Sequence, residues 1–215
     1  MVKRPLIAMV VVLVVVACGN KSPNTAANGP TAASVSVQSG DLPSGMQKCD
    51  ISGDIESFLT KAKTKDPTTY TSTKKEWDDA KKNGATAAYV ALYSDNAIHC
   101  SSVLTNSSDI SAATYKLVVN FVIQFKDEAT ATKGYSSQSI FGFSAPALKG
   151  GGAPVIEGTK TGLSANSIVL SIAISNQSFY VAVWQNKAFM VILAVLNVDS
   201  AAAKKVALAE NSRIT

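Results

Sequence analysis

The sequence predicts an α+β fold: a single domain in which an antiparallel sheet of about five strands carries helices packed on it. Three observations lead there. Tyr115 to Phe125 alternates Leu117, Val119, Phe121, Ile123 and Phe125 with Val118, Asn120, Val122 and Gln124, the two-residue period of a strand. Three more strand-like runs follow in series between residues 168 and 196. Two segments before Tyr115, and one after the last strand, carry helix signals. Strands gathered in runs, with helices before and after them, belong to α+β architectures and not to strict strand–helix alternation.

Taken in order, the chain opens with Lys3 and Arg4, then an almost unbroken run of Val, Leu, Ile and Met from Leu6 to Val16, closed by Val15-Val16-Ala17-Cys18. That is the pattern of a secretory signal. The run is shorter than the roughly 20 apolar residues a membrane-spanning helix needs. It resembles the lipobox of bacterial lipoproteins, with Val15 where leucine is commonest. The resemblance implies that residues 1–17 are a signal peptide removed in front of Cys18. It further implies that the Cys18 thiol receives a diacylglycerol, that the freed amine is acylated, and that the protein is held by lipid. The membrane would be the outer face of the cytoplasmic membrane or the outer membrane. The alternative is an ordinary secretory signal with an incidental cysteine.

From Gly19 to about Lys48 the chain is rich in Asn, Ser, Thr, Ala, Gly and Pro. Such a composition buries too little surface to fold, so residues 18–48 are expected to form a disordered tether behind the lipidated cysteine. A flexible chain of this length has a root-mean-square reach of about 30 Å. Residues 49–215 then form the extracytoplasmic domain, long enough for one proper core.

Loss of Lys3 and Arg4 with the leader lowers the formal charge from +5 by two, to +3. Only Arg213 remains as an arginine, and the lysines are scattered among acids. No basic stripe interleaved with aromatics is present, which argues against nucleic acid as a partner. Cys49 and Cys100, an even pair in an exported chain, read as a disulfide. A metal site is the poorer reading, because His99 is the sole histidine and no Cys-x-x-Cys exists.

Within the domain, Asp54 to about Lys65 places Ile55, Phe58, Leu59 and Ala62 at helical spacing, with Asp54 at the positive end of the dipole. Ser72 to Asn83 is a very polar helix anchored by Trp77 and stopped by Asn83-Gly84. Ala87 to Tyr93 reads as a strand with Tyr89, Ala91 and Tyr93 on one face and Val90 and Leu92 on the other. After the Tyr115–Phe125 strand, one of whose faces suits a core, Asp127 and Glu128 open a helix through about Ser137. Phe141 to Gly158 reads as a long Gly- and Pro-rich loop, a length associated with binding. Ile168 to Ser175, Phe179 to Trp184 and Phe189 to Leu196 are strands, the last apolar on both faces and therefore central. A helix from Asp199 to about Asn211 closes the domain, with Ala202, Val206 and Ala209 inward and Lys204 and Lys205 outward.

This order of strand, acid-started helix, long loop, Gly162-Leu163-Ser164, three strands and helix loosely resembles the extracytoplasmic sensor domains of bacterial receptor Ser/Thr kinases and their lipoprotein relatives. The resemblance covers Tyr115 to Ile214. That family commonly carries two disulfides where this chain can form one.

Candidate chemistry is sparse. Ser72-Thr-Lys-Lys75, Ser94-Asp95-Asn96 and Lys160-Thr161-Gly162 fit the three motifs of serine β-lactamases and penicillin-binding proteins, in their order. Carried over, Ser72 would be the nucleophile, Lys75 its partner, Ser94 and Asn96 the facing wall and Lys160 the carboxylate-binding lysine. Yet Ser72 opens the most charged helix of the chain, which cannot be buried without stranding ions, and no large helical lobe separates the motifs. His99 beside Cys100 offers a base next to a thiol, but the thiol is expected to be oxidised. Asp78 and Asp79 are neighbours on a helix and diverge.

The expectation is a non-enzymatic domain, without cofactor or metal, that binds a protein, cell-wall or small-molecule partner. The candidate contact residues are Phe141, Phe143, Lys149 and Gly151. A second expectation is a carrier of lipid or another apolar molecule between sheet and helices, suggested by the strand apolar on both faces. Tyr89, Tyr93, Phe179 and Trp184 read as core or sheet-face residues, with Trp184 beside a turn and open to exposure.

Overall fold

The computed structural model describes residues 29–105, 114–140 and 142–215. Cys18 and Phe141 lie outside these residues. Five long antiparallel strands form the body of the sheet: β3 (Ala85–Ser94), β4 (Leu117–Phe125), β6 (Asn166–Ile174), β7 (Gln177–Asn186) and β8 (Phe189–Leu196). Three short segments lengthen its edges, namely β1 (Gln47–Lys48), β2 (Gly53–Asp54) and β5 (Val155–Glu157). The order across the sheet is β1-β3-β4-β8-β7-β6-β5, with β2 also pairing β3. The count is therefore eight where about five were expected; the extra three are too short to show a sequence period.

β8 lies between β4 and β7, and all eight of its residues are buried. Its alternate side chains enter two separate cores. Met190, Ile192, Ala194 and Leu196 join the first, and Phe189, Val191, Leu193 and Val195 the second. β4 does the same: Leu117, Val119, Phe121, Ile123 and Phe125 face the first core, Val118 and Val122 the second. Only one face of β4 was expected to be covered; the structure covers both.

The first core is roofed by helices that surround the sheet on one side. They are α2 (Ile55–Lys65), α3 (Pro67–Lys82), α4 (Ala97–Thr105), α5 (Glu128–Ser137) and α6 (Ala145–Gly150). Asp54, Asp66 and Asp127 cap α2, α3 and α5, each accepting a hydrogen bond from the backbone N–H three residues on. Asp66 with Pro67 in the first turn starts α3 earlier than Ser72. Gly84, at φ +91°, ends it in the left-handed conformation. α5 lies so close to β4 that a Cβ on Gly134 would stand 2.5 Å from Phe125 Cζ. Cys49 and Cys100, 51 residues apart, are joined as a disulfide with their Cα atoms 5.4 Å apart, tying the N-terminal edge to α4.

The second core is covered by α7 (Ser200–Ser212) and by a segment expected to belong to the tether. Thr31 caps a one-turn helix, α1 (Ala32–Val35), through reciprocal bonds with Ser34. Ala32, Val35 and Val37 are buried against the sheet. Residues 31–37, expected within the tether, are thus packed on the domain. Three small apolar residues suffice because the sheet presents a ready-made apolar surface to them. In α7 the inward residues are Ala203, Val206, Ala207 and Glu210. The expected stripe of Ala202, Val206 and Ala209 is out of phase by one position on two of its three members.

Trp184, read as a core or sheet-face residue with exposure left open by the neighbouring turn, is fully buried in the second core. The Phe141–Gly158 segment, expected as a loop, holds α6 and β5. Ser144 caps α6 by accepting the Ala147 N–H at 3.1 Å, and Val155 to Glu157 pair with Leu170 to Ile168.

Candidate functional site

The expected contact residues lie around α6, but they serve different purposes. Phe143 is half-buried, packs on the first core and forms a bridge with Ile140. Lys149, at the end of α6, pairs with Glu157 of β5 at 3.0 Å across the turn. Gly151 caps the helix, and a Cβ there would come within 3.3 Å of the Ala147 carbonyl. Lys149 and Gly151 are therefore at one surface end of the element, and Phe143 roots the other.

The three motifs resembling a serine acyl-enzyme are not assembled as a site. Ser72 sits in the second turn of α3, exposed, with its hydroxyl donating to the Thr68 and Thr69 carbonyls of its own helix. Lys75 pairs with Asp79 and not with Ser72. Ser94 is buried in β3 and donates to the Lys116 carbonyl at 2.9 Å. Asn96 is occupied with His99, and Lys160 stands exposed in a 3-10 turn (Gly158–Thr161) at the far edge of the sheet. On α3, Asp78 pairs with Lys74 and Lys81, while Asp79 pairs with Lys75 and Lys82. These contacts hold both carboxyls below the usual range, hydrogen bonds from lysine being the main cause.

At the opposite end of β3, His99 stacks on Tyr115, ring centroids 4.1 Å apart, and its Nδ1 meets the Asp95 carboxylate and the Asn96 amide. Burial opposes ionisation of Asp95, but the bonds from His99 and the Lys116 N–H outweigh it and hold its pKa down. The imidazole is thereby fixed against the β3–α4 turn, next to the Cys49–Cys100 disulfide. With that sulfur oxidised, there is no thiol for His99 to activate.

The most elaborate polar cluster was not anticipated. Asn120, fully buried mid-way along β4, accepts the Val37 N–H at 3.0 Å through Oδ1 and donates to Glu210 Oε1 at 2.8 Å through Nδ2. Tyr93 donates to the Val37 carbonyl at 2.9 Å. Arg213 donates to the Val35 and Ser36 carbonyls and grips Asp41 through two nitrogens, at 3.1 and 2.8 Å. Glu210 is 0 % exposed, and Oε2 has no hydrogen-bond partner among the described residues. Burial drives its pKa well above the carboxylate range, against the pull of Asn120 and Arg213 and with a push from Asp41. The cluster clamps the segment from Thr31 to Leu42, hereafter the strap, onto the sheet. Two sequence signals pointed to it: an asparagine between Val118 and Val122 on one face of β4, and a glutamate in phase with Ala203, Val206 and Ala207.

No protein-family model matches the chain, and no curated protein matches it. Among solved structures the chain is similar to the extracellular domain of PknH from Mycobacterium tuberculosis, with a TM-score of 0.50 and 12 % sequence identity. The match covers 85 % of this chain and 94 % of that one. At such identity the likeness is one of fold. It supports the sensor-domain resemblance drawn from the order of elements, and it reaches beyond the Tyr115–Ile214 span on which that resemblance rested.

Proposed function

We propose that the chain is a lipoprotein anchored through Cys18 outside the cytoplasm, whose domain binds a partner there without catalysing a reaction. The observation that carries this reading is the fold shared over most of its length with an extracellular domain. The Cys49–Cys100 disulfide accords with an oxidising compartment. The polar groups that suggested an enzyme are each engaged in local bonds, which argues for their structural use. The strand apolar on both faces, which suggested a lipid carrier, is accounted for by two cores of protein side chains. The proposed contact surface is the α6–β5 turn, where Lys149, Gly151 and the half-exposed Ile156 stand outward.

Expression in a lipoprotein-processing bacterium with an alkyne-bearing palmitate tests the anchor. The wild-type chain should take up the label and fractionate with membranes. Cys18→Ser should do neither. A labelled Cys18→Ser chain, or an unlabelled wild type, would refute the reading.

A further inference from the structure

The strap fixes where the chain leaves the domain. α1 lies over β3 and β4, and α7 lies over β7, so the two share one side of the sheet while α2 to α6 occupy the other. Arg213 and Asp41 tie them together. Eleven residue steps separate Cys18 from Gly29, which span at most about 40 Å whatever their conformation. A domain of one sheet between two helical layers is itself about 30 Å thick, from helix diameters of about 10 Å. Turning the α2–α6 layer toward the anchor would therefore use nearly all of that reach, whereas presenting the strap and α7 uses little.

The surface presented is matched to a particular neighbour. Lys204 and Lys205 project from α7, and Leu208 stands between them and Ser212, 37 % exposed. The 3-10 turn bearing Lys160 abuts the same helix. A Cβ on Gly162 would touch Leu208 Cδ2 at 3.5 Å, and Asn211 donates to the Leu163 carbonyl at 3.0 Å. None of Lys160, Lys204 and Lys205 has an ion-pair partner among the described residues. Of the acids on this side, Asp41 is held by Arg213 and Glu210 is buried, which leaves Asp199, exposed as the cap of α7, against the three lysines. On the opposite layer all four cations of the second half of α3 are paired, and Glu56, Asp66, Asp127 and Glu128 lie among the remaining lysines.

We propose that this face, with Lys160, Lys204, Lys205 and Leu208, rests on the bilayer that holds the anchor and reads its anionic phospholipids. The proposal rests on lipidation of Cys18. Because the acyl chains already supply attachment, the lysines need only bias orientation, and each cation near an anionic surface adds a modest attraction.

The test uses the lipidated chain in vesicles of phosphatidylcholine, with or without phosphatidylglycerol, and amine acylation read lysine by lysine by mass spectrometry. Flotation with the vesicles for wild type but not Cys18→Ser establishes the anchor. With phosphatidylglycerol, Lys160, Lys204 and Lys205 should label about threefold or more slowly than without it, and high salt should abolish the difference. Lys74, Lys75 and Lys82 should label equally in both. Lys205→Glu should restore labelling of Lys160 and Lys204 on anionic vesicles. Equal labelling of both layers in a floating chain, or protection indifferent to phosphatidylglycerol, overturns the proposal and leaves the anchor standing. A wild-type chain that does not float overturns both.

Discussion

Replacing Glu210 by glutamine should remove a specific share of the pH dependence of folding. The carboxyl is buried beside Asn120, and its folded pKa lies well above the value of 4.5 that it has when exposed. The native state therefore keeps a proton that the unfolded state has lost. Stability contributed by that proton is full below pH 4.5 and declines as pH rises toward the folded pKa, by a little over 1 kcal/mol for each pH unit. Glutamine has the same shape, keeps an oxygen to accept the Asn120 amide, and cannot ionise. Wild type and Glu210→Gln should thus be of similar stability at about pH 4. The variant should pull ahead progressively as pH rises above about 4.5, for as long as the wild-type carboxyl stays protonated. Arg213 and Asp41, which also face Glu210, are present in both proteins. Urea unfolding of the unlipidated chain, followed through the buried Trp77 and Trp184, measures it at each pH. Parallel stability curves for the two proteins, or a variant that falls behind as pH rises, would refute the reasoning. Either would mean that Glu210 is ionised in the fold and paired with Arg213.

Reduction of Cys49–Cys100, or Cys49→Ser with Cys100→Ser, should cost about 4 kcal/mol by the chain-entropy estimate for a loop of this size, seen as a lower urea midpoint. Gly134→Ala adds a Cβ 2.5 Å from the Phe125 ring, which the first core holds in place. It should destabilise by about 1–3 kcal/mol despite the better helix propensity of alanine, and a neutral result would show that α5 can lift off β4. Incubation with a fluorescent penicillin should yield no covalent adduct, since Ser72 has no base within its own hydrogen bonds. An adduct lost in Ser72→Ala would reverse the non-enzymatic reading.

The five long strands were legible because each carries enough residues to display a period. In Leu117–Phe125 the alternation also divides the side chains between two faces, whereas Phe189–Leu196, apolar throughout, was legible from its unbroken run. Local chemistry likewise announced the caps at Asp54 and Asp127 and the stop at Gly84. What escaped depends on partners distant in sequence. Val37 resembles linker until Asn120, 83 positions away, accepts its N–H, and Ser36 until Arg213, 177 positions away, holds its carbonyl. Helix α7 was seen but misphased, because five alanines leave little contrast between its faces and the polar Glu210 argues against the side that is buried. Helix α6, at six residues, is too short for periodicity; only Ser144 with Pro146 marked its start. The segment expected as a loop, which holds α6 and β5, was accordingly mistaken for irregular structure.

The strap alters what an anchor on Cys18 does. Thirty flexible residues would let the domain tumble, and any face could meet any partner. A chain captured at Thr31 instead delivers the pull of the anchor into the middle of the sheet, through Asn120 on β4, Tyr93 on β3 and Arg213 at the end of α7. Under the proposed anchoring, the layer containing α2 to α6 would face away from the bilayer, and α6 with it. The proposed contact surface and the proposed membrane face thus lie on opposite sides of one sheet, each long strand of which sends side chains to both cores. β4 and β8 contribute side chains to both cores. On this reading Glu210 and Asn120 are the polar fastening that keeps the anchor's orientation coupled to the side where a partner binds.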